Sequence, residues 1–293
     1  MDRKERTIDM RTQIKQYAQE LATLTDKAKF SDRLKEYFDF ISKFHKYSWN
    51  NRILIYSQKP NASLIAGFNT WKKEHERHVK AGETGIWIFA PRWYKTKDEI
   101  LKKNQETGKE ELLEEEYEHI YFVPVPVFDV SQTEGKDVPT IDYGTNTNNH
   151  QDILIKLEGI CTSENIELDY KPLTDGLNGY SENGKITLSS KNSIDDQAKT
   201  LMHELAHEFL HWDKDRGEYT KKQKETEAEA TAFIVCRFLN VETKAFNYLA
   251  LYKSDGELIL NSLQRISTAV SKILKHFNGE IEKEKGEEIL LTA

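Results

Sequence analysis

One pentapeptide, His203-Glu204-Leu205-Ala206-His207, restricts this chain more than any other stretch of it. It sits inside Gln197 to His211, a run of mostly good helix formers with no Gly or Pro to interrupt it. Side chains four residues apart share one helix face, about 5–6 Å apart. His203 and His207 can therefore point imidazole nitrogens at a single ion. Glu204 stands beside the first of them, where a carboxylate reaches a water on the ion without ligating. That is the spacing for zinc-assisted hydrolysis, with two His as ligands and Glu as general base.

Zinc in catalytic sites takes three protein ligands and leaves a position open. The segment Glu225 to Leu239 reads as a second helix, and it begins far enough after His207 for a polar loop, 213 to 224, to turn the chain back. Glu225 and Glu229 share a face, and Glu227 points away from both. We expect Glu225 as the third ligand and Glu229 as the carboxylate that orients a ligating imidazole through its other nitrogen. The alternative has Glu229 as the ligand. His211 extends the row but lies roughly 12 Å along the axis from His203, at about 1.5 Å per residue. It is expected to be structural or to sit at the rim of the site.

The charge is unevenly spread. Residues 1 to 94 carry 18 Lys/Arg against 11 Asp/Glu, while residues 131 to 293 carry 19 against 28. A basic front and an acidic back suggest two domains with different partners. The two cysteines, Cys161 and Cys236, are too few and too far apart for a disulfide framework or a Cys-rich zinc module. Cys236 lies in an apolar run and should be a buried helix residue. No stretch approaches a membrane span and no signal peptide is visible, so a soluble cytosolic protein without a membrane partner is expected.

Along the chain, helices are expected over residues 9–27, from Ser31, over 49–57 and over 67–77. Strands follow at 86–90 and 119–128, separated by a charged insertion, 95–118, read as a long hairpin tip or a loop. Residues 129–149 read as linker. Then come a helix over 150–165, a strand over 166–170, a hairpin turning at Asn183-Gly184 and the 203–207 helix, capped by Asp195-Asp196. The Glu225 helix, a short stretch at 248–252 and a last helix over 257–277 complete the order.

Two resemblances emerge. Gly179-Tyr180, Ile186-Thr187-Leu188, Ala198 to His207, and Glu225-x-x-Ala228-x-x-x-Ala232 resemble the ImmA/IrrE-type zincin peptidases. Trp49-Asn50-Asn51, Gln58-x-Pro60, Gly67-x-x-x-Trp71, Val79 to Ile86 and Val127-Phe128-Asp129 resemble the single-stranded-DNA-binding domain of ArdC-like antirestriction proteins. The pairing implies an α+β chain of two domains: a helical/β ArdC-like domain over 1–130, a linker over 131–149 and a zincin-like metallopeptidase domain over 150–293. It implies a mobile-element protein whose front holds single-stranded DNA and whose back cleaves a protein or peptide with Zn2+. Single-strand binding needs cations and aromatic faces, and Trp49, Asn50, Arg52, Tyr56, Lys80, Arg92 and Trp93 are the candidates; Trp71 and Trp87 are expected in the core. The substrate is expected to add to the edge of the 185–189 strand, with Tyr180 or Tyr219 near the oxyanion. Two rival functions are a DNA-protecting protein that cleaves nothing and a regulatory protease that cleaves a repressor.

Overall fold

The structure is a computed structural model that describes residues 2–23, 27–103, 110–138, 150–212, 219–242 and 256–277. The first part holds α1 (Arg3–Thr23), α2 (Lys27–Lys43), α3 (Trp49–Gln58), β1 (Ile65–Gly67), α4 (Phe68–Lys73), β2 (Arg77–Val79), β3 (Ile86–Lys103), β4 (Glu110–Asp129) and β5 (Thr133–Gly135). The second holds α5 (His150–Ser163), β6 (Glu167–Lys171), β7 (Gly179–Ser181), β8 (Lys185–Ser189), α6 (Ile194–Leu210), α7 (Lys221–Phe238) and α8 (Gly256–Phe277). The 248–252 stretch and the tail beyond 277 lie outside the described residues.

In α2, Leu34, Tyr37, Phe38, Ile41 and Phe44 recur at three and four and are all buried. Helix α3 is capped by Ser48, whose hydroxyl accepts from the Asn51 amide, and it is buried continuously from Asn51 to Tyr56. The first sheet has the order β1-β4-β3, wholly antiparallel. Strand β3 is therefore an edge, and the side-chain amides of α3 cover its base. Asn51 donates to the Phe89 carbonyl (2.9 Å) and accepts from the Phe89 N–H (2.8 Å). Gln58 does the same at Trp87, at 2.9 Å each way. At those two residues the edge has no free backbone groups to offer another chain. The Trp71 indole N–H donates to the Phe128 carbonyl (2.8 Å), fixing α4 to β4.

Of the two readings of the 95–118 insertion, the long hairpin holds and the loop does not: β3 and β4 stay in register from Ile86↔Val127 out to Lys103↔Glu110, and only 104–109 lie outside the described residues. Its charges do not oppose strand formation, because Lys95 and Lys97 on β3 face Glu116 and Glu118 on β4. The expected linker also begins too early. Asp129 caps a short 3-10 turn, and β5 pairs antiparallel with β2.

The sheet of the metal half has the order β6-β8-β7, with β6 and β8 parallel and β7 antiparallel to β8. Asn183 (φ 55°) and Gly184 (φ 89°) turn the β7–β8 hairpin, as the sequence predicts. One apolar core runs without a break from α2 and α3 through α5, α6, α7 and α8, from Leu34 to Leu274. The two halves are joined further by a forked Arg237–Asp39 ion pair between α7 and α2.

Candidate metal centre

Helix α6 begins at Ser193, whose hydroxyl accepts from the Asp196 amide (3.2 Å). Asp195 and Asp196 occupy the first turn and do not cap it, so the expected cap is corrected to Ser193, two positions before Asp195; their charge still suits a helix N-terminus. Ala198, Leu201, Met202, Leu205 and Ala206 are buried in the core. That packing leaves His203 and His207 on the opposite face, at the floor of a cleft of about 600 Å3. Helix α7 starts with a capping box between Thr220 and Gln223, and its first turns carry Glu225 to the same place.

The three donor atoms converge. His203 Nε2 and His207 Nε2 are 3.1 Å apart, and Glu225 Oε2 is 3.5 Å from the first and 3.6 Å from the second. Ligands at about 2.0–2.1 Å in a tetrahedron stand roughly 3.4 Å from one another, so the triangle has the right size for one ion. Two ring nitrogens and one carboxylate oxygen also suit a borderline divalent cation. Among the described residues this is the one group of three or more His, Cys, Asp or Glu with ligand atoms so gathered.

Electrostatics separate the members. Burial, with His203 alongside, pushes the His207 imidazole down to about 4. Burial would depress His203 too, but the Glu225 carboxylate outweighs it and holds that ring above its ordinary value. The hydrogen bond to His203 brings the Glu225 carboxyl down to about 2. Glu204, only 7% exposed, is driven by burial up to about 7.

The cleft is also lined by Tyr180, Ser181, Trp212, Lys221 and Lys224, none of which motif spacing singles out as a group. Tyr219 is elsewhere, stacked under the Arg265 guanidinium at 3.6 Å. The substrate expectation needs correcting as well: β8 is paired on both sides, so it has no edge to offer. The edge strand at the cleft is β7. Glu182 donates to Lys185 and Ser189 donates to Asn178. By the alternation of an antiparallel ladder, the N–H and C=O of Gly179 and Ser181 point away from β8.

Glu229 is exposed and bonds to neither histidine, so the expected orienting role fails. The carboxylate on the inner side of α7 is Glu227, 0% exposed. It accepts from Ser262 Oγ (2.6 Å) and from Arg265, and it meets His211 Nε2 at 3.1 Å. Its position in the buried stripe with Ala230, Thr231 and Ile234 was the signal: a Glu at core spacing needs partners.

The nucleic-acid candidates scatter. Arg52 is 2% exposed and Tyr56 is 4% exposed, so neither can meet a phosphate or a base. Arg52 donates to the carbonyls of Phe44 (2.9 Å), His45 (2.5 Å) and Ser267 (3.0 Å), and to the hydroxyls of Ser267 and Ser271. Trp49 is half-buried against Tyr37, and Asn50 is exposed. Lys80 is exposed and donates to the Ser131 carbonyl. Arg92 and Trp93 are both exposed, on opposite faces of the β3–β4 ribbon. The face of Arg92 carries Tyr94 and Thr96, opposite Tyr121, His119 and Tyr117. The Tyr94 and His119 rings stack, centroids 5.0 Å apart. The other face carries Trp93 and Ile120, then the Lys–Glu pairs.

Comparison with known proteins agrees with the paired resemblance. Residues 9–123 match the N-terminal domain of anti-restriction factor ArdC, and residues 161–261 match the IrrE N-terminal-like domain. An uncharacterized Bacillus anthracis protein is 26% identical over 98% of this chain, which spans 56% of that protein's length. Two crystal structures of the antirestriction ArdC protein from the R388 plasmid are also similar. The metal-free one is 18% identical with a TM-score of 0.39, covering 80% of this chain and 86% of that one. The Mn(II)-bound one is 16% identical with a TM-score of 0.41, covering 78% and 84%. No helix among the described residues is long and apolar enough to cross a membrane.

Proposed function

We propose that this chain, which joins an ArdC-like domain to an IrrE-like domain, is a metal-dependent peptidase that also holds single-stranded DNA. The observation that carries the peptidase reading is the triangle of His203, His207 and Glu225 with the buried Glu204 beside it. A divalent ion held by those three, zinc in our reading, supplies Lewis acidity, acidifying water and polarising a carbonyl. Glu204 is not one of the converging donors, so its carboxylate is left to take a proton from water and pass it to the leaving amine. A substrate main chain lies along β7, pairing with the outward groups of Gly179 and Ser181. Tyr180, which lines the cleft on that strand, is our choice of side chain for the reacting carbonyl, while Tyr219 is set aside. Lys221 and Lys224 bring positive charge to the mouth and favour an acidic substrate.

The test is metal analysis and peptide hydrolysis on full-length protein. Wild type should bind one zinc; manganese serves as the comparison. Glu204→Gln should keep the metal and lose hydrolysis. His203→Ala with His207→Ala should lose both. Stoichiometric zinc in that double variant, or undiminished hydrolysis in Glu204→Gln, would sink the assignment.

For the front half we assign the strand-binding surface to the Arg92 face of the ribbon. Tyr94 and Tyr121 are each 48% exposed and Tyr117 is 39% exposed. Over its described side chains that face bears rings and a cation but no carboxylate. Rings take bases of any sequence, and the cation takes a phosphate. The described carboxylates of the ribbon, Glu116 and Glu118, fall on the other face, where a phosphate backbone would be repelled.

A further inference from the structure

A third histidine, His211, caps the C-terminus of helix α6, and the metal-site reading leaves it without a task. His211 is only 4% exposed. Its Nδ1 lies 3.0 Å from Nδ1 of His207, and its Nε2 lies 3.1 Å from Glu227 Oε2. The other Glu227 oxygen accepts from Ser262 and Arg265 of α8. The row is therefore continuous, from α8 through α7 to the ligand on α6.

We propose that Glu227 and His211 are positioning residues that hold His207 in the one tautomer able to bind a metal through Nε2. The proposal rests on the metal-site reading above. Protons can be placed from the far end. Glu227 has its cation in Arg265, so it is a carboxylate and can only accept. His211 must then present a proton on Nε2. With a metal on Nε2, His207 carries its proton on Nδ1, so the His211 Nδ1 that faces it at 3.0 Å is the acceptor. The 3.0 Å contact between two Nδ1 atoms needs one proton, and His207 must supply it. A neutral His207 protonated on Nδ1 has its lone pair on Nε2, the atom that faces His203 and Glu225. The reverse tautomer would set two bare Nδ1 atoms against each other and block Nε2 with a proton. Ligating imidazoles commonly give their second N–H to a carboxylate or carbonyl. Here the carboxylate is one imidazole further away, because Glu225 and Glu229 are on the wrong side of α7 to reach Nδ1.

The experiment has two arms on full-length protein. In the first, zinc affinity is measured by competition with a chromophoric chelator, beside thermal melting of the metal-free protein. His211→Phe keeps the ring's bulk without an acceptor and should weaken zinc binding about 10- to 100-fold. His211→Gln offers a carbonyl to His207 and an N–H to Glu227, and should restore most of that loss. A merely structural His211 would lower the melting temperature in both variants and leave the zinc constant within about threefold of wild type, which would overturn the proposal. So would a Gln variant as impaired as Phe. The second arm needs no variant to fold. Long-range 15N–1H correlation on metal-free wild type should find His207 protonated on Nδ1 and His211 on Nε2, and the opposite pattern refutes the relay. Failure of wild type to bind zinc at all would instead reject the metal-site reading, so the two failures are distinguishable.

Discussion

Replacing Arg52 by alanine separates two accounts of that residue. Sequence pattern makes it a cation for phosphate; the structure makes it a strut between α3, the end of α2 and α8. The magnitude follows from what is removed. A fully buried long side chain cut to Ala costs about 2–5 kcal/mol in packing. Carbonyl and hydroxyl groups that lose a charged donor add about 1–3 kcal/mol. Against this, burial already taxes the guanidinium, pushing its pKa down to about 10, and the unfolded chain loses a well-hydrated cation. The net is about 3–5 kcal/mol, a large fraction of the roughly 5–15 kcal/mol a folded protein has. A chain of 293 residues has an unfolding entropy of about 0.6 kcal/mol/K. The melting temperature should therefore fall by about 5–8 °C. Calorimetry should record one transition, not two, because the lost bonds span both halves. Fluorescence anisotropy at a temperature where the variant is still folded should find single-strand affinity unchanged. A variant that melts within 1–2 °C of wild type and yet binds DNA poorly would refute the argument and return Arg52 to the surface role.

Three further outcomes can be checked. Asp129 is buried, which opposes ionisation, but the hydroxyl and amide of Ser131 and the amides of Ser63 and Leu64 outweigh burial and hold its carboxyl below the ordinary value. A depressed folded pKa means stability present above about pH 4 and lost as pH falls further, so an acid titration of Asp129→Asn should be flatter than wild type; parallel curves would deny that Asp129 is the group responsible. Tyr94→Ala should weaken single-strand binding by about 1–3 kcal/mol with the melting temperature unmoved, and by more than Trp93→Ala; the reverse order in anisotropy would move the binding surface to the other face of the ribbon. Gly85→Val should disturb the base of the ribbon, because a Cβ there would stand 2.8 Å from Pro126 Cβ; a melting curve identical to wild type would contradict that close approach.

The parts of this molecule that local spacing dictates were legible from residues alone. The i, i+4 pair of His203 and His207, the Asn183-Gly184 turn and the α2 stripe all rest on short-range geometry. What escaped rests on pairing across the chain. Glu227 has the composition of a solvated helix start, and only its stripe position hinted at burial; its partners Ser262 and Arg265 lie on a helix more than thirty residues on. Arg52 lies 215 residues before Ser267, and no local pattern tells a buried cation from an exposed one. The 95–118 ribbon was left between a hairpin and a loop because its charge was read as solvation, whereas cross-strand Lys–Glu pairs let both strands run on. Several motif residues behind the ArdC resemblance, namely Asn51, Gln58, Trp71 and Asp129, turn out to hold backbone groups. Here a recurring motif reports the architecture of the fold more than its ligand.

Helix α8 also sets an order of events during synthesis. It supplies Ser267 and Ser271 to Arg52 and Ser262 and Arg265 to Glu227. At about 5–20 residues per second, the 215 residues between Arg52 and Ser267 take roughly 10–40 s to emerge. Through that interval the nascent front half holds a guanidinium with a place in the interior and without the hydroxyls that complete it. The front half therefore cannot settle early and wait. Its last bonds close when α8 arrives, and the same arrival completes the row of side chains behind His207. A ribosome that stalls before residue 256 leaves both ends of the molecule unfinished at once.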